Sequence, residues 1–341
     1  MNGTKPSYAS YELVKEMMQT VQVASGFDAG RTKGLASTIL AKKKLFLTGE
    51  GSSRIFPAKN LMRKAMTLGL DVQIATDASR QAASYNLKDF VVFCASNSGR
   101  TKEVVLLASR LKEAGHKHCY GLTANPDTLL ESACQNAWVL DCGWEQAVAA
   151  TKSVVEQGLF YESILWNMLS LDMSSELAAL PSLLETALTL EIPKDIVEKA
   201  VQAPTIYFAG YNDGVAEELT LKTNEITRKK SDFLEVTYAI HGIEEVMQAN
   251  DIVFVVDPID EEIEKFQEVL SKGVGLTVVA IADRDTLFPT IKVPTAGSMS
   301  PYVYLCAGWN LLVEIGLAKG IDLDKPDRAR KVGNEYVVSN E

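Results

Sequence analysis

The stretch Phe90-Val-Val-Phe-Cys-Ala95, followed directly by Ser96-Asn-Ser-Gly-Arg-Thr101, indicates both the fold and a candidate site. A continuous apolar run of this kind is typical of a strand that is buried on both faces of a parallel sheet. The polar turn after it contains Gly99 and precedes a helical pattern at residues 104–114. Strand, turn and helix in this order predict a βαβ unit, with the turn at the carboxyl end of the strand.

The same strand–turn–helix pattern recurs along the chain, and the second half repeats the first. The apolar run at residues 45–49 ends in glycine, as does the run at 206–210, and residues 277–282 match the strand near His118. We therefore predict an α/β protein with two tandem, doubly wound parallel sheets, flavodoxin-like or Rossmann-like. The predicted segments are a helical segment at 1–40, a first domain at 41–172, a helical linker at 173–200, a second domain at 201–320 and an extended tail at 321–341.

Composition and charge exclude several classes of protein. The chain has 341 residues, of which 47% are hydrophobic, and its net charge of -10 argues against nucleic acid or an anionic membrane as main partner. It has neither a run of 18 apolar residues nor the apolar start of a secretory signal, so no membrane span is predicted. The five cysteines are odd in number and include no CxxC pair, which indicates reduced, mostly buried thiols in a cytoplasmic protein.

The turn at residues 96–101 is a candidate anion site. Ser96, Ser98 and Thr101 supply hydroxyl donors, Gly99 permits close approach of the backbone, and the following helix presents free N–H groups. The structural alternative is an ordinary helix cap and turn, which Ser, Asn and Thr favour in any protein. A second glycine turn at residues 49–53 follows a neighbouring strand but lacks the third glycine of a dinucleotide fingerprint. The two turns together favour a small phosphorylated ligand over a nucleotide.

The second half contains candidates for acid–base chemistry. Lys222 and Glu225 are spaced i, i+3 and share a helix face, and His241 is the only histidine of that half. Lys331 lies in a basic tail. Each has a structural explanation in isolation: a solvated ion pair, a structural histidine and solvated charge. The His116-x-His118 pair has no clustered carboxylate partner, so no metal site is predicted.

Three motifs in combination resemble the sugar isomerase (SIS) domain: Gly-x-Gly-x-Ser at residues 49–53, Ser-x-Ser-Gly-x-Thr at 96–101 and Val148-Ala-Ala-Thr-Lys152. The duplicated arrangement resembles the isomerase half of glutamine–fructose-6-phosphate amidotransferase and its stand-alone relatives. In that family the Ser/Thr loop holds the sugar 6-phosphate. The resemblance implies phosphate binding by Ser96, Asn97, Ser98 and Thr101, and sugar binding by Gly51, Ser52, Ser53, Val148 and Ala150. Ala150 replaces a serine of the synthases.

The resemblance also assigns roles to the acid–base candidates. His241 lies 16 residues after Glu225, and Lys331 lies five residues after Pro326, as in the synthase family. The family then implies ring opening by His241, proton transfer between C1 and C2 by Glu225, and electrostatic support by Lys222. Lys331 would cover the site and form a Schiff base. In the family the histidine comes from the neighbouring subunit, which implies a homodimer or higher homo-oligomer.

The expected function is that of a stand-alone enzyme. Residue 2 is not cysteine and no cysteine precedes Cys94, so we expect no glutaminase activity. The preferred substrate is an amino- or amine-substituted hexose 6-phosphate, with glucosamine-6-phosphate deaminase as the specific expectation. A fructosamine-6-phosphate deglycase and a tagatose-6-phosphate-type isomerase are alternatives, and a non-catalytic phosphosugar-sensing regulator is the alternative from another class. No cofactor is expected.

Overall fold

The computed structural model describes residues 1 and 5–337 and contains two five-stranded parallel sheets. In the first sheet the strand order is β2-β1-β3-β4-β5, the flavodoxin-like order of a doubly wound sheet. Its strands are β1 (Lys44–Gly49), β2 (Gln73–Ala78), β3 (Val91–Ala95), β4 (Cys119–Thr123) and β5 (Asn136–Val139).

The second sheet has the order β7-β6-β8-β9-β10, which repeats the order of the first. Its strands are β6 (Thr205–Gly210), β7 (Lys230–Glu235), β8 (Ile252–Val256), β9 (Thr277–Ala282) and β10 (Thr290–Lys292). All neighbouring strands in both sheets pair in parallel. The predicted fold class, an α/β protein with two tandem doubly wound sheets, is confirmed.

Residues 283–289 join β9 to β10 without a helix. The other consecutive strands of each sheet are connected through helical turns and α-helices, which suits parallel pairing. The α-helices are α1 (Pro6–Ala9), α2 (Glu12–Gly26), α3 (Lys33–Lys42), α4 (Ile55–Thr67), α5 (Ser79–Ala82), α6 (Lys102–Glu113), α7 (Leu129–Ala133), α8 (Lys152–Met168), α9 (Ser174–Thr189), α10 (Lys194–Gln202), α11 (Val215–Lys222), α12 (Ile263–Phe266) and α13 (Ser300–Ala318). No helix in the described part of the chain is long and apolar enough to cross a membrane.

Strand β3 shows why the apolar run at residues 90–95 forms a central strand. Val91, Phe93 and Ala95 contribute to the apolar core on one face of the sheet, whereas Val92 and Cys94 contribute to the core on the other. Every residue of β3 is buried. Both faces of the strand therefore need apolar side chains, and the sequence of the strand does not alternate between apolar and polar residues. The five cysteines are free, buried thiols.

Two strands and two helix boundaries differ from the sequence prediction. The edge strands β7 and β10 were not predicted, because β7 is mostly polar and exposed and β10 has three residues. The sequence pattern from about residue 147 to 169 predicts one long helix, but α8 begins only at Lys152. The pattern at residues 176–201 predicts further continuous helix, but this stretch is divided between α9 and α10, because Pro193 lacks the N–H needed to continue a helix and caps α10 instead.

The described residues form two compact units, each discontinuous in sequence. The unit with the first sheet comprises Val23–Glu145, Ala150–Leu177 and residues 330–337. The unit with the second sheet comprises residues 1 and 5–22, Gln146–Ala149 and Ala178–Ala329. The C-terminal residues 330–337 thus fold with the first sheet. The predicted continuous segments, with boundaries at 40, 172, 200 and 320, remain a prediction, and positions 338–341 of the predicted tail lie outside the described residues.

Candidate functional site

The hydroxyl-rich loop at residues 96–101, here called the phosphate loop after its predicted role, joins β3 to α6 and brings three hydroxyl groups together. Ser96 Oγ lies 2.8 Å from Thr101 Oγ1 and 3.4 Å from Ser98 Oγ. Thr101 is the N-cap residue of α6, but its side chain makes no capping hydrogen bond. Its hydroxyl group therefore faces Ser96 instead of the helix. Three neutral donors at a helix N-terminus form a suitable environment for a phosphate group.

Gly99 fixes the shape of the phosphate loop. Its φ of +62° lies in the left-handed region, and a Cβ atom there would lie 2.3 Å from Thr128 Cβ. Thr128 cannot move away freely, because its side chain caps α7 in a capping box with Glu131. The Gly99 carbonyl accepts a hydrogen bond from Leu130 N at 3.0 Å. Only glycine fits this close approach between the loop and α7.

Asn97 connects the loop to the start of α8. Its Nδ2 donates to Ser153 Oγ at 2.7 Å, and Ser153 Oγ donates to Glu145 Oε2 at 2.5 Å. Glu145 Oε1 accepts from Thr151 N at 2.7 Å. Sequence analysis missed Glu145 and Ser153. Glu145 stands between Trp144 and Gln146, a context that gives no sign of a buried carboxylate.

The predicted sugar-binding residues lie in two segments. Gly51, Ser52 and Ser53 form a 3-10 turn between β1 and α4, and the Ser53 carbonyl accepts from Gln157 Nε2 at 2.6 Å. Val148 and Ala150, which are half-buried, lie in the irregular stretch before α8. Their contact with a sugar remains a prediction.

The tail pairs with the phosphate loop. Glu335 forms an antiparallel bridge with Thr101, Lys102 N donates to the Asn334 carbonyl at 2.9 Å, and Tyr336 N donates to the Arg100 carbonyl at 2.9 Å. A cavity of about 420 Å³ borders the loop, with walls from Ser98, Arg100, Asn125, Thr128, Trp144 and Glu335 among others. The tail carries Lys331, whose Nζ lies 3.7 Å from Glu145 Oε2. The structure thus brings Lys331 and the phosphate loop into one unit.

Lys222 and Glu225 form an ion pair that includes a third residue. Lys222 Nζ lies 2.8 Å from Glu225 Oε2 and 3.1 Å from Glu218 Oε1. Lys222 and Glu218 are completely buried, so the solvated surface pair that the spacing left open is wrong. Burial by itself lowers the pKa of Lys222, but the Glu218 and Glu225 carboxylates outweigh it and raise this pKa above its usual value. Glu218 was missed, although its i, i+4 spacing from Lys222 is a sequence signal.

Glu225 differs from its two partners in exposure. Its side chain retains 24% of its accessible surface, and it lies in a π-helical segment, Thr223–Thr227, that continues α11. Such segments are rare and are often found at functional sites. Lys222 lies at the end of α11 and is buried, whereas Glu225 lies within the π-helical segment and is half-buried. Glu225 is therefore a partly exposed carboxylate with a buried charged partner.

His241 lies on an exposed loop after the 3-10 turn Val236–Ile240. Its backbone N donates to the Tyr238 carbonyl at 3.1 Å. Within the described residues its ring belongs to no hydrogen bond or ion pair, so it does not join the Lys222 cluster. Its supply to a neighbouring subunit remains a prediction. No group of three or more His, Cys, Asp or Glu side chains in the described part of the chain is arranged to hold a metal ion.

The first sheet has the strand order of a doubly wound α/β unit. In such units ligands generally bind at the topological switch point, where the strand order reverses. Here the switch point is between β1 and β3, where the glycine turn and the phosphate loop begin. Residues 38–166 match the family model described as the SIS domain. This part of the chain is a SIS domain.

The chain is also homologous to glutamine–fructose-6-phosphate aminotransferase (isomerizing). It is 28% identical to the protein of Xanthomonas campestris pv. campestris in an alignment of 289 residues that covers 77% of this chain and 47% of that protein. The chain therefore spans about half the length of the curated relatives it matches. Among solved structures, the C-terminal domain of glucosamine-fructose-6-phosphate aminotransferase from Francisella tularensis has a TM-score of 0.77 at 18% identity, covering 93% of this chain and 98% of that one.

Two other solved structures share the fold. Glucosamine-6-phosphate deaminase from Thermotoga maritima has a TM-score of 0.71 at 17% identity, with 94% of this chain and 99% of that chain covered. Tagatose-6-phosphate ketose/aldose isomerase from Escherichia coli has a TM-score of 0.75 at 16% identity, with 96% and 100% covered. At these identities the likeness concerns the fold. Proteins named for different phosphosugar reactions share it.

Proposed function

We propose that this protein is a cytoplasmic phosphosugar isomerase-type enzyme that acts on an amino- or amine-substituted hexose 6-phosphate. The single observation that carries the proposal is the pairing of the hydroxyl-rich phosphate loop with a tail that bears Lys331. A phosphate site and an amine-bearing segment in the same unit suit a substrate that has a phosphate at one end and a carbonyl or imine at the other. The homology to an isomerizing aminotransferase supports the same class of substrate.

The phosphate loop binds the 6-phosphate in this proposal. The hydroxyl groups of Ser96, Ser98 and Thr101 and the N–H groups at the start of α6 donate to the phosphate oxygens. Asn97 is held by Ser153 and orders the loop from the side of α8. Gly51, Ser52, Ser53, Val148 and Ala150 bind the sugar, as the resemblance implies.

Glu225 carries the proton transfer. After His241, supplied by the neighbouring subunit of a homo-oligomer, opens the ring, the Glu225 carboxylate removes the proton at C2 of the amino aldose and returns it to C1. Lys222 stabilises the negative charge of the intermediate. For glucosamine 6-phosphate the resulting imine at C2 reacts with water, which releases ammonia and leaves fructose 6-phosphate. Lys331 supplies the amine for a Schiff base with the open-chain ketose.

The alternatives use much the same residues. A fructosamine-6-phosphate deglycase would release a larger amine, and a tagatose-6-phosphate-type isomerase would move the carbonyl without loss of amine. A non-catalytic phosphosugar sensor requires the phosphate loop but no proton-transfer residues. The ion pair between the buried Lys222 and the partly exposed carboxylate of Glu225 favours the enzymes over the sensor, because a sensor does not require a base.

The test is a coupled assay of the purified protein with glucosamine 6-phosphate that measures ammonia and fructose 6-phosphate together. Equal amounts of both products establish the deaminase. Isomerisation of tagatose 6-phosphate, or release of a substituted amine from a fructosamine 6-phosphate, identifies the corresponding alternative. Binding of these sugars without turnover of any of them supports the sensor and contradicts the proposed enzyme.

A paired variant tests the phosphate loop. Ser98→Ala with Thr101→Ala removes two hydrogen bonds to a charged group, so we expect the KM for the phosphorylated substrate to rise about 10- to 100-fold with little change in kcat. Arg284→Met alters the corresponding region of the second sheet and is the matched control. An unchanged KM in the double variant moves the phosphate site elsewhere.

A further inference from the structure

The residue that links the phosphate loop to the tail is Glu145, which belongs to neither segment. Its side chain is only 2% exposed, although it is a carboxylate. Burial of an ionised carboxylate is strongly unfavourable unless charges and hydrogen bonds compensate for it. Both of its oxygen atoms are compensated, and the partners of each oxygen show what the carboxylate holds in place.

Oε1 of Glu145 binds the N-terminal end of α8. It accepts from Thr151 N at 2.7 Å and from Thr151 Oγ1 at 3.2 Å. Thr151 is the N-cap residue of α8, where a negative charge is favourable because of the helix dipole. This half of the carboxylate is anchored in the interior of the unit.

Oε2 of Glu145 faces the proposed site. It accepts from Ser153 Oγ, which in turn accepts from Asn97 of the phosphate loop, and it lies 3.7 Å from the ammonium group of Lys331. One oxygen atom therefore connects the loop to the tail residue that carries the amine. The Lys331 side chain is 19% exposed, so its ion pair with Glu145 is largely shielded from water.

The structure assigns to Glu145 the role of a positioning residue that docks Lys331 and thereby holds the tail against the phosphate loop. This inference rests on the proposed roles of Lys331 and the loop. Glu145 itself does not contact substrate in this scheme. Its ion pair fixes one point of the tail, and the backbone hydrogen bonds of Asn334 and Tyr336 to Lys102 and Arg100 fix a second point three to five residues further along.

Two-point attachment also couples the tail to phosphate binding. The tail pairs with Arg100, Thr101 and Lys102, and Thr101 supplies one of the proposed phosphate donors. A phosphate held by Thr101 and Ser98 restricts the loop with which the tail pairs. Phosphate binding and tail docking must then favour each other equally, because coupling between two binding events is reciprocal.

The test is hydrogen exchange of the tail peptide 330–337 in the full chain, measured with and without inorganic phosphate. In the wild type we expect slow exchange of the Tyr336 amide, which phosphate slows further. Glu145→Gln loses the charge that docks Lys331, so exchange in the tail should become about tenfold faster or more. Lys331→Met should have the same effect, and the double variant should add little to either single one, because the two residues act through one contact.

A matched control separates positioning from general stability. Glu156 is another buried carboxylate of the same unit, and it accepts from the backbone N of Asp141 and Cys142 without a contact to the tail. Glu156→Gln should lower stability and leave tail exchange unchanged. Equal acceleration of tail exchange in the Glu145 and Glu156 variants, or unchanged exchange in both Glu145→Gln and Lys331→Met, overturns the inference.

The measurement does not depend on which sugar is turned over. Faster exchange of the tail in Glu145→Gln, together with no turnover of any phosphosugar by the wild type, would support the docking role of Glu145 and contradict the proposed function. Turnover by the wild type with unchanged tail exchange in Glu145→Gln and Lys331→Met would support the function and contradict the role of Glu145.

Discussion

The loops that follow β3 and β8 occupy equivalent places in two sheets of the same strand order, and their backbones are held alike. Ser96 N donates to the Leu122 carbonyl at 3.0 Å, and Asp257 N donates to the Ile281 carbonyl at 3.0 Å. The side chains differ. Hydroxyl groups converge in the first loop, whereas the Asp257 carboxylate in the second pairs with Arg284, with Nη1 and Oδ1 2.9 Å apart.

This comparison shows that the duplicated fold supplies the same position twice and that the loop residues decide its chemistry. A loop of neutral donors favours a dianion. The loop after β8 does not favour a dianion, because it begins with the Asp257 carboxylate and Arg284 is already paired with that carboxylate. The acid–base candidates of the second unit lie elsewhere, on α11 and the π-helical segment after it.

The largest expected effect concerns the carboxylates of the second unit. Glu225→Gln removes the proposed base, so we expect kcat to fall about 1,000-fold, within the range for loss of general base catalysis, with KM changed by no more than about threefold. Asp257→Asn, in the loop that corresponds to the phosphate loop, should keep kcat within a factor of about two. The measurement is steady-state kinetics of both variants on the substrate identified by the coupled assay. Equal losses in both variants would contradict the assignment of Glu225.

Gly99 of the phosphate loop and Gly210 at the end of β6 give the next comparison. Gly99→Ala forces a positive φ on a residue with a Cβ and a clash with Thr128, so the free energy of unfolding should fall by about 2–4 kcal/mol. Gly210→Ala places its Cβ 3.1 Å from Ala216 Cβ without a positive φ, so the change should stay within about 1 kcal/mol. Urea denaturation measured by circular dichroism compares the two variants. A larger loss at Gly210 would show that the end of β6 is more constrained than the phosphate loop.

The smallest effect is a pH dependence confined to the second unit. The raised pKa of Lys222 means that its stabilisation is complete below the pKa of lysine in the unfolded chain, about 10.4, and is lost as pH rises toward the higher pKa of the folded state. The difference in free energy of unfolding between wild type and Lys222→Met should therefore narrow by about 1.4 kcal/mol per pH unit above this value.

The phosphate loop provides the control for this pH dependence. Ser98 has a hydroxyl group that does not titrate in this range, so the difference between wild type and Ser98→Ala should stay constant with pH. The measurement is urea denaturation at several values between neutral and alkaline pH. A constant difference for Lys222→Met would show that Glu218 and Glu225 do not stabilise the charged form of Lys222.

The fold class was predictable because central strands of a parallel sheet need apolar residues on both faces, as residues 91–95 illustrate. The convergence of the three hydroxyl groups in the loop at residues 96–101 could be predicted because these residues are close in sequence and local turn chemistry places them together; their binding of phosphate stays a prediction. The edge strands β7 and β10 could not be predicted, because an edge strand has fewer partners and tolerates polar residues.

Residues that are neighbours along the chain are enough to predict the duplicated α/β fold, the hydroxyl-rich loop and the i, i+3 pair of Lys222 and Glu225. The burial of Lys222 and the place of Glu145 between Asn97 and Lys331 are seen only in the folded chain. Burial depends on how elements pack, and a carboxylate that links residues far apart in sequence leaves no local pattern. The sequence therefore supplies the chemical groups, and packing decides which of them meet.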